Sequence, residues 1–309
     1  MNPIVCLAGP TASGKTALAV ELAQALDGEV VSCDSMQVYR RMDIGTAKPS
    51  PEEMGGIPHH MIDVADPEED YSVSRYCAAA APIVEDIVAR GKTAIIAGGT
   101  GLYMDSLIRG NDFAPFPSTG VRERLEAQAD AEGMEAMAAW LRGVDPEAAE
   151  RIHDRKRLLR ALEVYLETGQ NITEHNRRTQ AIPPKFSPVW LGLDFEDRQR
   201  LYDRIDLRVT KMLEMGLLEE IQGLLDSGVP ETATAMQAIG YKEFVNALAG
   251  RETVEAAADQ VRQSSRRYAK RQLTWFRRNK AMHWLIRGER TAGEEIFRSA
   301  RQLLREIDS

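Results

Sequence analysis

The chain has 309 residues, of which 43% are hydrophobic and 28% are charged, and its formal net charge at pH 7 is −8. This composition is that of a globular protein with a sizeable core, in one large or two modest domains. The negative charge argues against a protein that coats nucleic acid nonspecifically, and no apolar run is long enough to span a membrane. Because no basic leader precedes the first predicted strand and the three cysteines lack metal-binding spacing, we expect a cytoplasmic protein.

A phosphate-binding loop lies close to the amino terminus. The segment "GPTASGKT" matches G-x-x-x-x-G-K-[ST], a pattern whose backbone N–H groups surround a chain of phosphates. It follows "IVCLA", which predicts a buried strand, and it opens a segment with leucines at helical spacing. The predicted diphosphate-binding residues are Gly9, Pro10, Thr11, Ala12, Ser13, Gly14, Lys15 and Thr16, with the Thr16 hydroxyl placed to bind Mg²⁺.

Strands and helices alternate after this loop. "EVVSC" predicts a second strand, a helix follows over residues 71–91, and "TAIIA" predicts a third strand that runs into "GGTGLY". Alternation of this kind predicts an α/β fold, a P-loop NTPase-like parallel sheet flanked by helices. Residues 118–180 read as helical throughout, and further strands follow at "VWLGLDF" and "MHWLI". We predict a catalytic core of residues 1–117 and 181–309 with an all-helical insertion domain of residues 118–180.

The loops after the three strands are expected to meet at the carboxyl edge of the sheet, where ligands bind in open α/β sheets. Asp34 follows the second strand, and its carboxylate would serve there as a general base or a Mg²⁺ ligand, the alternative being a helix N-cap. Thr100, between glycines after the third strand, would approach phosphate oxygens closely. An ATPase motor usually has a metal-binding Asp after such a strand, so the pattern favours group transfer to an acceptor that loses a proton.

Basic residues are concentrated in two segments. Residues 260–280 contain eight Arg or Lys and no acid, and residues 151–160 contain five. On the longer segment, helical spacing places Arg262, Arg266, Lys270 and Arg277 on one face, which we expect to face an anion. The adjacent His59 and His60 are expected to be loop residues, since no cysteine lies nearby to complete a metal site.

Seven segments in chain order resemble those of the bacterial tRNA dimethylallyltransferases, or tRNA isopentenyltransferases. They are "GPTASGKT", "CDSMQVYRRMDIGTAKP", "HHMIDV", "GGTGLY", "RLLRALEV", "AIGYKE" and "AKRQLTWFR", and they extend along nearly the whole chain. The resemblance implies that the donor is dimethylallyl diphosphate, neither ATP nor GTP. The family transfers the five-carbon group to N6 of the adenine at position 37 of tRNA, next to the anticodon, and releases diphosphate.

The resemblance also implies roles for the predicted site residues. The backbone loop, Lys15 and a Mg²⁺ held through Thr16 would stabilise the diphosphate leaving group. Asp34 corresponds to the family's general base, which takes the N6 proton, and Thr100 and Arg208 would contact the diphosphate. For Arg208 the alternative is a surface salt bridge with Asp203 or Asp206 of its own predicted helix.

The resemblance further implies that the target adenine is extruded from the anticodon stem-loop into a channel. The insertion and the basic C-terminal helices would clamp the tRNA, with no membrane partner and a monomeric enzyme expected. The loop before "RLLRALEV" is shorter than in the family, so the contacts of Lys156 and Arg157 depart from its pattern. The implied tRNA-binding residues are Asp34, Ser35, Met36, Gln37, Thr100, Arg122, Lys156, Arg157, Leu158, Leu159, Arg160, Gln237, Ala238, Ile239, Gly240, Tyr241 and Lys242.

Two other functions are compatible with the phosphate-binding loop. A P-loop small-molecule kinase would bind ATP in place of the allylic donor and phosphorylate a small acceptor. A noncatalytic tRNA-binding protein would use the loop only as an anion site. A comparison of the affinities for ATP and for dimethylallyl diphosphate distinguishes the kinase from the transferase. Any catalytic turnover excludes the noncatalytic tRNA-binding protein.

Overall fold

The computed structural model describes residues 4–110, 119–181, 183–289 and 291–308. The chain divides into two compact units, one made of residues 1–110 with 185–309 and the other of residues 111–184. In the described residues the first unit contains strands and helices and the second contains helices without strands. The predicted start of the insertion, between residues 117 and 118, lies outside the described residues.

A six-stranded parallel sheet forms the centre of the first unit. Its strands are β1 (Ile4–Ala8), β2 (Gly28–Ser32), β3 (His59–His60), β4 (Thr93–Gly98), β5 (Val189–Phe195) and β6 (Met282–Arg287). They are arranged in the order β3-β2-β4-β1-β5-β6, and every pair is parallel. The inner strands are apolar along most of their length because helices cover both faces of a parallel sheet. The predicted α/β fold is therefore confirmed.

Helices connect the strands of the first unit. Before the helical unit they are α1 (Lys15–Ala25), α2 (Pro51–Met54), α3 (Val73–Ala89) and α4 (Gly101–Arg109). The helical unit contains α5 (Val121–Glu132), α6 (Met134–Val144), α7 (Pro146–Ala149), α8 (Arg155–Thr168) and α9 (Ile172–Ala181). After it come α10 (Arg198–Glu214), α11 (Leu217–Asp226), a 3₁₀ turn (Ala235–Gln237), α12 (Lys242–Leu248), α13 (Val254–Phe276) and α14 (Gly293–Asp308).

Helices α1 and α14 share one apolar core with the sheet. Leu18 and Leu22 of α1 and Ile296 of α14 pack with Leu7 and Leu191 of the central strands. On α3, the buried Tyr76 hydroxyl donates a hydrogen bond to a carbonyl at the end of β2, 3.0 Å away. This packing fixes the carboxyl ends of the strands, where the predicted site residues lie. No helix in the described ranges is both long and apolar enough to cross a bilayer.

The helical unit has a core of its own. Leu125, Leu141 and Leu162 are each at most 1% exposed and belong to one apolar cluster that joins α5, α6 and α8. The buried Asp145 carboxylate accepts hydrogen bonds from the Thr173 backbone N–H and hydroxyl, both at 2.9 Å, and so connects the starts of α7 and α9. An unpaired buried carboxylate would be destabilising, so these hydrogen bonds determine how the helices join.

The prediction that His59 and His60 lie in a loop is wrong. They form β3, a short edge strand whose partners in the sheet are Val30 and Val31. His60 Nε2 lies 2.9 Å from Glu29 Oε2, so its ring is engaged with the neighbouring strand. Two residues are too short a run to produce the alternating pattern by which strands are recognised in sequence.

Candidate functional site

The phosphate-binding loop connects β1 to α1 as the motif predicts. Gly14 is the N-cap of α1 at φ 90°, in the left-handed region that residues with a Cβ rarely adopt. The Lys15 ammonium turns back over the loop and donates hydrogen bonds to the carbonyl oxygens of Gly9, at 3.0 Å, and Pro10, at 2.8 Å. Burial lowers the pKa of Lys15 to about 8, and the charge of Asp34 partly offsets this effect.

Asp34 and Thr100 are brought together because β4 lies between β1 and β2. Asp34 Oδ1 accepts a hydrogen bond from the Met36 N–H, at 2.9 Å, so the carboxylate stabilises a turn and not the start of a helix. The Thr100 hydroxyl accepts a hydrogen bond from the Ser35 N–H at 3.1 Å, and the Thr100 N–H donates to the Cys33 carbonyl at 3.2 Å. Thr100 thus holds the backbone on both sides of Asp34.

Gln272 of α13 connects the phosphate-binding loop to the loop after β4. The Thr11 N–H donates to Gln272 Oε1 at 2.9 Å, and Gln272 Nε2 donates to the Gly99 carbonyl at 3.0 Å. The Gln272 side chain is buried, and a Cβ at position 99 would collide with its amide. Glycine at this position therefore allows α13 to approach the site.

Two more side chains of α13 form part of the same wall. Trp275 packs so closely on Gly101 that a Cβ there would collide with the indole ring. The half-buried Tyr268 hydroxyl lies near the side chains of Thr100 and Gln272. Burial and, second, the negative charge of Asp34 raise the pKa of Tyr268 to about 12, so this phenol remains neutral at physiological pH.

Arg208 of α10 reaches the phosphate-binding loop. Its Nη1 donates a long hydrogen bond to the Thr11 hydroxyl, at 3.4 Å. Burial, followed by the charge of Arg204, lowers the pKa of Arg208. Of the two suggested surface partners, Asp206 pairs with Arg266 at 2.6 Å, and Asp203 accepts a hydrogen bond from Gln199 at 2.8 Å. Arg208 therefore lies beside the phosphate-binding loop, and it forms no ion pair with Asp206 in the described residues.

Two of the recognised segments contact each other although they are almost 200 residues apart. The Glu220 carboxylate accepts hydrogen bonds from the N–H groups of Asp43, Ile44 and Gly45 and from the Tyr241 hydroxyl, at 2.6–3.1 Å. A Cβ at Gly45 would collide with the Tyr241 ring. Segment 237–242 is consequently anchored to the loop that follows Asp34, at one end of the site.

The turn 35–37 is half-exposed beside Asp34. Ser35 and Met36 are partly accessible, whereas the Gln37 amide donates to the carbonyl oxygens of Thr46, at 3.3 Å, and Ala47, at 3.2 Å. The Gln37 side chain therefore holds the loop together, and the exposed part of the turn is available for contact with a substrate.

Four of the predicted tRNA-binding residues have buried side chains. Leu158 and Leu159 are 2% and 0% exposed in the core of the helical unit, and Ala238 and Tyr241 are 7% and 0% exposed. Their side chains face the interior, where they pack the segments that carry exposed neighbours. Gly240 is also buried, whereas these predicted residues keep accessible side chains: Lys156, Arg157, Arg160, Gln237, Ile239 and Lys242.

Within the helical unit the predicted basic residues lie on α5 and α8. Lys156 and Arg157 are exposed in the first turn of α8. Arg122 and Arg160 both pair with Glu163, at 3.9 and 2.9 Å. Because such partly exposed pairs contribute little stability, these arginines can exchange partners at small free-energy cost.

Three of the four basic residues of the stripe that we expect to face an anion are paired with carboxylates in the structure. Arg262, Arg266 and Arg277 pair with Asp259, Asp206 and Asp194, at 2.6, 2.6 and 2.7 Å. Asp206 belongs to α10 and Asp194 to β5, so the sequence of residues 260–280 does not reveal these two partners. Among the described residues, the exposed basic side chains of α13 without an ion pair include Arg267, Lys270 and Arg271.

Tyr268, Gln272 and Trp275 were absent from the predicted site. They follow at intervals of four and three residues, so a helix places them on one face. That spacing and the segment "AKRQLTWFR" were the features of the sequence that could have indicated these residues. Periodicity alone, however, does not distinguish such a face from ordinary core packing.

The donor atoms near the loop suit a metal that is carried by a phosphate ligand. Thr16 is exposed in the first turn of α1 and offers one hydroxyl oxygen. In the part of the chain that the structure describes, no group of three or more His, Cys, Asp or Glu could hold a metal ion. Mg²⁺ usually keeps several waters and binds through substrate phosphates and few protein oxygens, so these residues fit it.

Comparison with known sequences identifies the family. The family described as IPP transferase matches residues 37–279, and the family described as isopentenyl transferase matches residues 2–69. A tRNA dimethylallyltransferase of Thermoanaerobacter sp. (strain X514) is 45% identical over 297 residues, covering 95% of this chain and 94% of the relative. Another from Acetivibrio thermocellus is 41% identical over 307 residues, covering 98% of both.

Solved structures agree with the sequence comparison. The tRNA isopentenylpyrophosphate transferase of Bacillus halodurans has a TM-score of 0.75 at 40% identity, covering 100% of this chain and 97% of that one. A eukaryotic dimethylallyltransferase acting on tRNA has a TM-score of 0.83 at 28% identity, covering 99% of this chain and 80% of the other. From the joined phosphate loop, Asp34 turn and Thr100 loop, and from these matches, the chain belongs to the tRNA dimethylallyltransferase family.

Proposed function

We propose that this enzyme transfers the dimethylallyl group from dimethylallyl diphosphate to N6 of adenine 37 in the anticodon loop of tRNA. The observation that carries the proposal is the position of Asp34. Its carboxylate accepts a hydrogen bond from the Met36 N–H, Thr100 holds the adjacent backbone at Ser35, and its charge acts on Lys15 of the phosphate-binding loop. The exocyclic amine of adenine loses a proton when it is alkylated, and this carboxylate is placed to accept that proton.

The reaction breaks the bond between the allylic carbon and the diphosphate oxygen and forms a bond from that carbon to N6. The Asp34 carboxylate accepts the N6 proton, and the electron pair of the broken bond leaves on the diphosphate. Loop N–H groups, Lys15 and Arg208 stabilise that negative charge as it develops. Mg²⁺, held in part through Thr16, would supply additional charge stabilisation when bound.

Adenine 37 can reach Asp34 only if it is extruded from the stacked anticodon loop. The half-exposed turn 35–37, the exposed residues of segment 237–242 and basic residues of the helical unit are candidates to hold the opened loop. We infer that the substrate is the anticodon stem-loop, that the protein acts as a monomer, and that it works in the cytoplasm, where tRNA is modified.

The test is nucleoside mass spectrometry after incubation of the protein with Mg²⁺, dimethylallyl diphosphate and an anticodon stem-loop RNA. A matched RNA with guanine in place of adenine 37 is the control. We expect N6-dimethylallyl adenosine in the first RNA only, without ATP. A requirement for ATP in the transfer step would support the kinase alternative, and binding without any product would support a noncatalytic tRNA-binding protein.

A further inference from the structure

Arg287, the last residue of β6, lies against the start of α1. A Cβ built at Gly14 would be 3.0 Å from Arg287 Nη2, so the guanidinium packs on the N-cap of that helix. The N-terminus of a helix carries a partial positive charge and exposes N–H groups. A cation in this position is destabilising unless an anion joins it.

No carboxylate in the described residues forms an ion pair with Arg287. Its Nε is buried without a hydrogen-bond partner in that part of the chain. Burial, followed by the charge of Arg204, lowers the pKa of Arg287, and the charge of Glu21 offsets this only in part. The group is therefore a half-buried cation among other cations.

Helix α10 presents a row of arginines, at intervals of four residues, to the same region. Arg204 Nε donates to the Ala12 carbonyl at 2.9 Å, Arg208 contacts Thr11, and Arg200 donates to the carbonyl of the residue after Arg287. Arg204, Arg208 and Arg287 thus converge on the phosphate-binding loop from two elements, and Arg200 binds the chain next to Arg287.

A second observation at the loop also indicates an anionic ligand. Ser13 is 0% exposed, and its hydroxyl has no hydrogen-bond partner among the described residues. Only a few buried polar groups in a native protein remain unpaired, and each requires an explanation. The unpaired Ser13 hydroxyl and the unpaired Arg287 Nε both adjoin the phosphate-binding loop.

We propose that Arg287 is a further ligand of the donor's diphosphate and that Arg204 positions the loop through the Ala12 carbonyl. The inference rests on the proposed function, because it assigns a new residue to the same donor site. Guanidinium groups bind phosphate oxygens through paired N–H donors, which suits a ligand with two phosphates. Arg287, which is close to the carboxyl terminus in sequence, then helps the amino-terminal phosphate-binding loop to hold the leaving group.

The test compares Arg287→Met with Arg298→Met, a control that removes one exposed arginine paired with Glu294. Inorganic diphosphate is the probe, in EDTA so that divalent cations do not contribute, with binding calorimetry and thermal unfolding as readouts. For Arg287→Met we expect a dissociation constant raised roughly 10- to 100-fold, the range for hydrogen bonds to charged groups. Without diphosphate, its unfolding temperature should equal or exceed that of the wild type, because an uncompensated cation is gone.

A purely structural role predicts the opposite pair of results. Arg287→Met would then unfold at a lower temperature without diphosphate and bind diphosphate as tightly as the wild type, which would overturn the proposal. If the Met variant does not fold, Arg287→Gln retains a polar head and must show the same weaker binding. If the wild-type protein forms no N6-dimethylallyl adenosine, the proposed function is refuted. If the variant binds diphosphate as tightly as the wild type, only this inference is refuted.

Discussion

At the scale of single residues, the site depends on how side chains are held and not only on which ones are present. Asp34 is oriented by the Met36 N–H and by Thr100, which binds the backbone at Ser35 and Cys33. Asp34 Oδ2 makes no hydrogen bond to the residues that the structure describes. This arrangement leaves one carboxylate oxygen for a proton from the substrate.

Asp34→Asn should separate binding from chemistry. The amide oxygen can still accept from Met36, so the turn should keep its shape, whereas the side chain no longer accepts a proton. We expect single-turnover transfer to slow by roughly 10² to 10⁴, the usual contribution of a general base. Affinities for tRNA and for diphosphate, measured by calorimetry, should remain near wild type. Transfer at an almost normal rate would restrict Asp34 to a structural role in the turn.

Lys15 provides a prediction about pH. Its pKa in the free protein is about 8, below the ordinary lysine value, because burial disfavours the ammonium. Bound diphosphate favours the ammonium, so binding above that pH must take up a proton, and affinity should fall as pH rises through 8. Calorimetry at pH 8.5 in two buffers with different ionisation enthalpies measures the uptake. Lys15→Arg, which stays charged, is the control, and equal uptake by both proteins would contradict the assignment.

At the scale of elements, α13 contributes to the site mainly through the packing of its buried side chains and less through its basic surface. Gln272 joins the loops that carry Thr11 and Gly99, and Trp275 closes on Gly101. Glycines in the loop after β4 therefore permit close packing of a helix that follows in sequence about 170 residues later. Of the basic side chains on α13, Arg262 and Arg266 are paired with acids, whereas Arg267, Lys270 and Arg271 make no ion pair in the described residues.

Gly99→Ala tests this packing. The new methyl group would collide with the Gln272 amide, so either α13 or the loop must move. We expect destabilisation of about 1 to 3 kcal/mol, as for other overpacked sites, together with weaker diphosphate binding. Gly143→Ala in α6 is the matched control, since nothing lies within 4 Å of its Cβ position and helical alanine is favourable. Urea unfolding of both variants decides, and equal stabilities would show that the loop adapts freely.

At the scale of the whole molecule, a net charge of −8 coexists with local basic surfaces. One lies on α13 and another at the start of α8, and the two belong to different units of the chain. Such clusters attract phosphates at short range even when the protein as a whole is acidic, because salt screens charges beyond about 10 Å. Recognition of tRNA is therefore expected to depend on a few exposed residues.

Replacing Arg267 and Lys270 together by Glu should weaken tRNA binding while diphosphate affinity changes little. If each contacts one phosphate of a single-stranded loop, the slope of log affinity against log salt should fall by about 1.4, at about 0.7 per phosphate. Arg266→Glu is the comparison, because it breaks the pair with Asp206 and should mainly lower stability. Identical salt slopes for the double variant and wild type would remove α13 from the tRNA surface.

Local patterns in the sequence were sufficient for the fold class and for the position of the phosphate-binding loop. The strand, glycine loop and helix order around Lys15, and the apolar strands before Asp34 and Thr100, are set by contacts between near neighbours in the chain. The short strand β3 and two of the acid partners of the basic helix, Asp206 and Asp194, were not recoverable in this way, since they depend on residues distant in sequence.

The sequence by itself determined the α/β class, the phosphate-binding loop and the family, because glycine spacing and apolar periodicity express local backbone geometry and burial. Only the tertiary structure decided which side chains meet. Strand order placed the Thr100 loop beside Asp34, helix packing turned Gln272 and Tyr268 toward them, and the last strand delivered Arg287 to the start of α1. The physical reason is that these contacts join residues far apart in the chain, whose positions depend on how the sheet and its helices pack.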